Sequence, residues 1–138
     1  MVFSPELADF RGEWILNRQI TSDIAGQSGE FEGRAIFAPH PDGLAYHEAG
    51  KLRMAGGGTL QAERRYLWRE VNGQIEVLFE DGRAFHKFGD NSATHYCDPD
   101  IYRVTYDFTE WPRWTSAWRV TGPRKDYVMT SAYAPVPS

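Results

Sequence analysis

Two dipeptides, Asn72-Gly73 and Asp81-Gly82, constrain this chain more than any other feature. Each sits between strand-like segments, and both residue types accept the positive φ of a two-residue type I′ hairpin turn. Such turns fix the pairing. The first places Val71 opposite Gln74, Arg69 opposite Glu76, Trp68 opposite Val77 and Tyr66 opposite Phe79. The second places Glu80 opposite Arg83, Phe79 opposite Ala84, Leu78 opposite Phe85, Val77 opposite His86 and Ile75 opposite Phe88. One face then carries Tyr66, Trp68, Ile75, Val77, Phe79, Ala84, His86 and Phe88, which makes it the interior face. The other carries Arg65, Arg69, Glu76, Glu80, Arg83 and Lys87 around an apolar strip of Leu67, Leu78 and Phe85. Opposite charges facing across strands, as in Arg69, Glu76 and Lys87, suit a solvated surface. A slip of one residue would exchange the two faces, so the agreement of both hairpins supports the register.

The rest of the chain has the same character. Period-2 alternation and turn signals recur about every ten residues, the pattern of an all-β sandwich or barrel. Candidate strands run Glu13 to Thr21, Phe31 to Ala38, Leu44 to Met54, Thr59 to Val71, Gln74 to Glu80, Arg83 to Phe88, Ile101 to Phe108, Trp114 to Thr121 and Lys125 to Tyr133. The one helical signal is Ser4-Pro5-Glu6-Leu7, with Ser as cap and Pro at the first helical position, predicting a short turn over Pro5 to Asp9. No linker or repeat divides residues 1–138, so one domain is expected. With 41% hydrophobic and 14% aromatic residues it can build its own core. A net charge of -4 gives no footprint for nucleic acid or an anionic membrane. No signal peptide or membrane-length apolar run is evident, and a lone cysteine fits a reducing compartment, so the expected location is cytoplasmic.

Extending the parity places Arg64 inside beside Tyr66, and Tyr46 and Glu48 inside on the preceding strand, with His47, Lys51 and Arg53 outside. Tyr46, Glu48, Arg64, Tyr66, Trp68, His86 and Tyr102 are therefore the candidate ligand-binding set. Arg64 can orient a carboxylate bidentately, while Glu48 and His86 are the candidates for proton exchange. The competing reading of the same set is an internal Arg64–Glu48 ion pair. His95 and Cys97 join His86 if "GDNS" is a four-residue loop, which would pair His86 with His95. A five-residue loop turns His95 outward. The spacing of His86, His95 and Cys97 matches no recognised zinc pattern, so a metal site there is the weaker alternative and no cofactor is expected.

Gly12-Glu13-Trp14 after a helical turn resembles the start of the lipocalin and calycin barrels. Together with "FRGEWILNRQI", "GEFEGRAIF", "LAYHEAGKL", "ERRYLWR", "FEDGRAFHKF", "HYCDPDIYRVTY" and "WRVTGPRKDYVMTSAY", nearly the whole chain is similar to a family of small uncharacterised, mostly bacterial proteins with a lipocalin-like fold. The resemblance implies a single antiparallel up-and-down barrel of about 8 to 10 strands. It also implies that Gly12, Trp14 and Arg124 close one barrel end, Arg124 packing over the indole. Haem-binding relatives use a late-strand His, and none follows Ile101 here. The expected function is an uncharacterised cytoplasmic barrel holding a small, partly apolar, anionic molecule, acting as a monomer or homodimer. The alternatives are an acid-base isomerase or decarboxylase acting on a carboxylated aromatic substrate, and an interaction domain using the Leu67, Leu78, Phe85 strip.

Overall fold

Nearly all of the chain is strand because alternating residues have somewhere to go: aromatic and aliphatic side chains inward, charged ones outward. The computed structural model describes residues 3–24, 27–88 and 91–137. Its strands are β1 (Gly12–Ser22), β2 (Gly29–His40), β3 (Gly43–Met54), β4 (Thr59–Val71), β5 (Gln74–Phe79), β6 (Ala84–Phe88), β7 (Ser92–Cys97), β8 (Asp100–Asp107), β9 (Trp114–Thr121) and β10 (Asp126–Pro135). Successive strands pair antiparallel except β6 and β7, and β1 also pairs with β10, giving the order β6-β5-β4-β3-β2-β1-β10-β9-β8-β7. The sheet curls into a nearly closed lipocalin-like barrel. Its free edges, β6 and β7, face each other with no backbone ladder between them among the described residues.

Strand β7 falls outside the sequence-based strand set, because "SATHYC" lacks a strong apolar alternation and only pairing with β8, from Ser92↔Thr105 to Cys97↔Asp100, defines it. The predicted helical turn lies slightly later, as a single 3-10 turn at Leu7–Phe10. Asp9 rather than Ser4 secures its start, the carboxylate accepting the Glu6 N–H at 2.8 Å.

The β4–β5 hairpin has the predicted register throughout, from Val71↔Gln74 to Tyr66↔Phe79, and Asn72 and Gly73 both have positive φ, 53° and 78°. The β5–β6 hairpin differs. Only Gly82 is left-handed, at φ 91°, and the Phe79 N–H donates to the Arg83 carbonyl, so Glu80, Asp81 and Gly82 form a three-residue loop. That shifts the register by one and pairs Leu78 with Ala84. A β-bulge between Val77 and Leu78 then restores Val77↔His86 and Ile75↔Phe88. The loop and the bulge cancel, so His86 faces inward as the simpler register had it. Between them the faces change: Ala84 is exposed and Phe85 is buried inside the barrel. The exposed strip of Leu67, Leu78 and Phe85 consequently does not exist, since Leu78 is buried and Leu67 half-buried.

The barrel is closed at the end where β1 begins. Phe10, fully buried, inserts among Trp68, Trp111, Trp114, Phe37 and Phe108 at centroid distances of 5.2 to 5.8 Å. Trp14 pins this plug by donating its indole N–H to the Phe10 carbonyl at 2.8 Å. Arg124 takes no part. It is exposed in the β9–β10 connection, while Trp14 pairs with Pro135 at the far end of β10. The intervening strand spans roughly 30 Å.

The bulge has a direct test. Phe85→Ala should cost about 3 to 5 kcal/mol in denaturant unfolding, as for a buried ring. Ala84→Ser should stay within about 0.5 kcal/mol. The opposite ranking would mean that the unbulged register is correct.

Candidate functional site

The most constrained group inside the barrel is one the charge pattern alone does not single out. Arg18 on β1 reaches Glu48 on β3 with Nη1 to Oε2 at 2.6 Å and Nη2 to Oε1 at 2.9 Å, while its Nε donates to the Ser131 hydroxyl at 2.7 Å. Both side chains are buried. The two strands are separated by β2, whose inward positions between them are Gly33 and Ala35. Small residues there leave the path across β2 open. A Cβ at Gly33 would also collide with the Ala49 carbonyl of β3.

Tyr46 completes the network, donating to Glu48 Oε1 at 2.5 Å and sharing a hydrogen bond with the Tyr133 hydroxyl at 2.9 Å. Burial pushes the Glu48 carboxyl up, but the Arg18 bonds and charge, the Tyr46 bond and the nearby Arg64 charge hold it below the usual carboxylate range. Burial, together with Tyr133 and Glu48, raises Tyr46 well above the normal phenol value. Glu48 is thus a fixed carboxylate with both oxygens engaged. That arrangement suits an internal counter-ion, and it leaves no free base of the kind the acid-base alternative asks of this residue.

Arg64, the cross-strand neighbour of Glu48, is the partner of that carboxylate in the competing ion-pair reading. Arg18 occupies the position instead. The Arg64 guanidinium lies 5.7 Å from the Trp118 ring centroid, and its Nη2 contacts the Met129 sulfur at 3.8 Å. Among the described residues no carboxylate forms an ion pair with it. Half-buried Tyr66, Phe79, Tyr102 and Trp118 surround the same open end. On its rim Lys125 contacts the Tyr102 hydroxyl at 3.1 Å and Asp100 at 3.0 Å.

His86 lies deeper. Its Nε2 is 2.7 Å from the Tyr106 hydroxyl, and its Nδ1 is buried without a partner. Burial first, and His95 second, bring its pKa down to about 3, so the ring is neutral. His95 is half-buried on the inner side of β7, edge-on to Phe85 at 5.2 Å. It reaches that place without the predicted hairpin pairing to His86, because β6 and β7 share no ladder; the loop on which the alternatives turned includes Gly89 and Asp90, outside the described residues. Cys97 is exposed. Among the described residues no three His, Cys, Asp or Glu side chains are grouped to hold a metal ion, so His86, His95 and Cys97 do not form such a centre.

Free space is distributed unevenly. The void lined by Arg64, Tyr66, His86, Trp118 and the Arg18–Glu48 pair measures about 20 Å³, room for about one water molecule. A second void, between Arg18, Phe31, Leu52 and Arg64, measures about 40 Å³. The deep interior is therefore filled by side chains, contrary to the expected ligand cavity. A groove of about 490 Å³ outside it is lined by Arg64, Arg83, Tyr66 and Phe79 and by the carboxylates Glu80 and Asp81. Of the expected set, Tyr46, Glu48, Arg64, Tyr66, Trp68 and His86 line the inner void together, while His95 and Tyr102 stand nearer the open end. Arg18 was the omission. Its signal was available, since Trp14, Leu16 and Arg18 share one parity of β1.

These features define a lipocalin-like antiparallel β-barrel, nearly closed, with an aromatic plug at one end and ionisable groups toward the other. The chain belongs to the Family of unknown function (DUF6314), matched over residues 10–135. Curated proteins provide no match. Among solved structures, the S-type phycobiliprotein lyase CPES from Guillardia theta aligns with a TM-score of 0.64 and 9% identity, covering 96% of this chain and 91% of that one. A looser likeness, TM-score 0.42 and 9% identity, relates it to EF1p2_mFAP2b bound to DFHBI, over 94% of this chain and 95% of that one. Identity this low shows the fold alone. Among the described residues no helix is long and apolar enough to cross a membrane.

Arg18→Met should cost about 3 to 5 kcal/mol by leaving Glu48 buried and unpaired, and Arg18→Met with Glu48→Gln should recover part of the loss. Additive losses in chemical unfolding would show that the pair is not coupled. For His86 the folded pKa lies below the ordinary value of 6.5, so the unfolded chain binds a proton that the native state refuses. Stability contributed this way is present above pH 6.5 and is lost as the pH falls, by at most about 1.4 kcal/mol per pH unit. The fall between pH 7 and 5 should be shallower in His86→Phe, measured by unfolding at each pH.

Proposed function

We propose that this chain, working as one domain over residues 1–138, is a small-molecule-binding barrel whose ligand is partly apolar and anionic and sits at the open end of the interior. The observation that carries the reading is Arg64. Arg18 and Glu48 neutralise each other and His86 is uncharged, so Arg64 gives this part of the lumen an uncompensated positive charge. A half-buried cation without a counter-charge is costly, and an anionic ligand removes that cost. The aromatic groups around it, Tyr66, Phe79 and Trp118, offer the apolar contact that ligand sites combine with a few polar anchors. Because the deeper interior is full, the ligand gains room by moving half-buried rings at the mouth rather than by entering a ready-made cavity. The cytoplasm is the proposed location, consistent with a lone, exposed thiol.

Aromatic carboxylates titrated against the protein, followed by tryptophan fluorescence, should bind about 10 to 100 times more weakly to Arg64→Met, the range for losing a charge-assisted hydrogen bond. Their uncharged amides should be indifferent to the substitution. Equal affinities for acid and amide in the unaltered protein would reject an anion site at Arg64.

A further inference from the structure

Two residues that line the inner void carry a buried nitrogen without a partner, Trp114 at Nε1 and His86 at Nδ1, and the second specifies the ligand more closely. His86 lines the void of about 20 Å³, and its Nδ1 is buried with no partner. Its tautomer follows from counting. The Tyr106 ring packs among others, with ring centroids 4.1 Å from Phe88, 5.8 Å from Phe108 and 6.2 Å from Trp68, and its hydroxyl hydrogen-bonds with His86 Nε2. If Nε2 donated, the phenolic hydrogen and the Nδ1 lone pair would both be unsatisfied. If Nε2 accepts the phenolic hydrogen, the ring proton is on Nδ1 and a single donor is left over. The second arrangement leaves fewer buried groups unpaired, so His86 offers an N–H donor.

The His86 ring and the Arg64 cation both lie against the same indole. The Arg64 guanidinium lies 5.7 Å from the Trp118 ring centroid and the His86 ring 6.4 Å from it. Trp118 itself is half-buried, with Phe85 at 5.2 Å and Tyr66 at 6.5 Å around it. It presents a flat aromatic body to both groups and hydrogen-bonds to neither.

We infer that the ligand is a planar aromatic monoanion whose ring takes the place of the Trp118 indole, its charge on Arg64 and a single-atom acceptor elsewhere on its rim receiving the His86 Nδ1–H. The inference rests on the lumen-binding reading above. The charge is single because one cation is uncompensated. The acceptor is small because the void beside His86 accommodates about one oxygen-sized body.

Two probes separate the terms: 2-naphthoate, and 6-hydroxy-2-naphthoate with an oxygen on the edge away from the carboxylate. The hydroxylated probe should bind about three to ten times more tightly, the range for one hydrogen bond. His86→Phe should erase that preference, and Arg64→Met should weaken both probes. Trp118→Ala, which vacates the position, should bind both more tightly. In the ligand-free protein, nitrogen-15 shifts should show the His86 proton on Nδ1. A proton on Nε2, a hydroxyl preference that survives His86→Phe, or weaker binding to Trp118→Ala overturns the inference. Equal affinity of the unaltered protein for the two probes overturns it while leaving the lumen site standing. If neither probe binds, both readings fall.

Discussion

The interior of this barrel is organised by the Arg18–Glu48 ion pair. Removing either charge from water costs several kcal/mol, and only close, multiple bonds between the partners offset it. That requirement explains several otherwise separate features. The path between β1 and β3 crosses Gly33 and Ala35. Ser131 caps the remaining Arg18 nitrogen, and Tyr46 and Tyr133 line up behind the carboxylate. The pair also determines what is left unmatched. With Glu48 committed to Arg18, its cross-strand neighbour Arg64 forms no ion pair among the described residues.

The two barrel ends divide the labour. At one, Phe10 and the tryptophans around it form a dense aromatic plug whose Trp14 N–H is satisfied by backbone. At the other, half-buried rings surround the cations Arg64 and Lys125, while a buried nitrogen without a partner occurs in both regions, Trp114 Nε1 in the plug and His86 Nδ1 in the lumen. Dense ring packing is what stability asks for, whereas charged groups near an opening are what recognition asks for. The resemblance to a solved structure at 9% identity concerns the fold and not these lumen groups.

Much of this arrangement was legible in the sequence. Asn72-Gly73 set the β4–β5 register to the residue, and parity alone placed Tyr46, Glu48, Arg64 and Trp68 inside. His86 was placed inside through a register that omitted two compensating irregularities, a three-residue loop and a bulge, and Phe85 shows the difference. Such bulges are tertiary adjustments: the gain is burial of a large ring against Tyr66, Phe79 and Trp118, which the local pattern does not contain. Parity on β1 put Arg18 on the inner face, but its choice of Glu48 over any nearer residue depends on contact across an intervening strand. The Arg124 expectation came from resemblance, and strand direction places it at the wrong end.

The edges of β6 and β7 add a mechanical property. A barrel laced by backbone hydrogen bonds around its whole circumference changes girth only by breaking a ladder. Here one meridian is bridged by side chains instead, with Phe85 against His95 at 5.2 Å and Phe79 against His95 at 6.1 Å. Rings slide past one another far more cheaply than paired amides separate, so the circumference has a compliant seam. It runs alongside the tightly filled interior, where a small increase in radius creates volume.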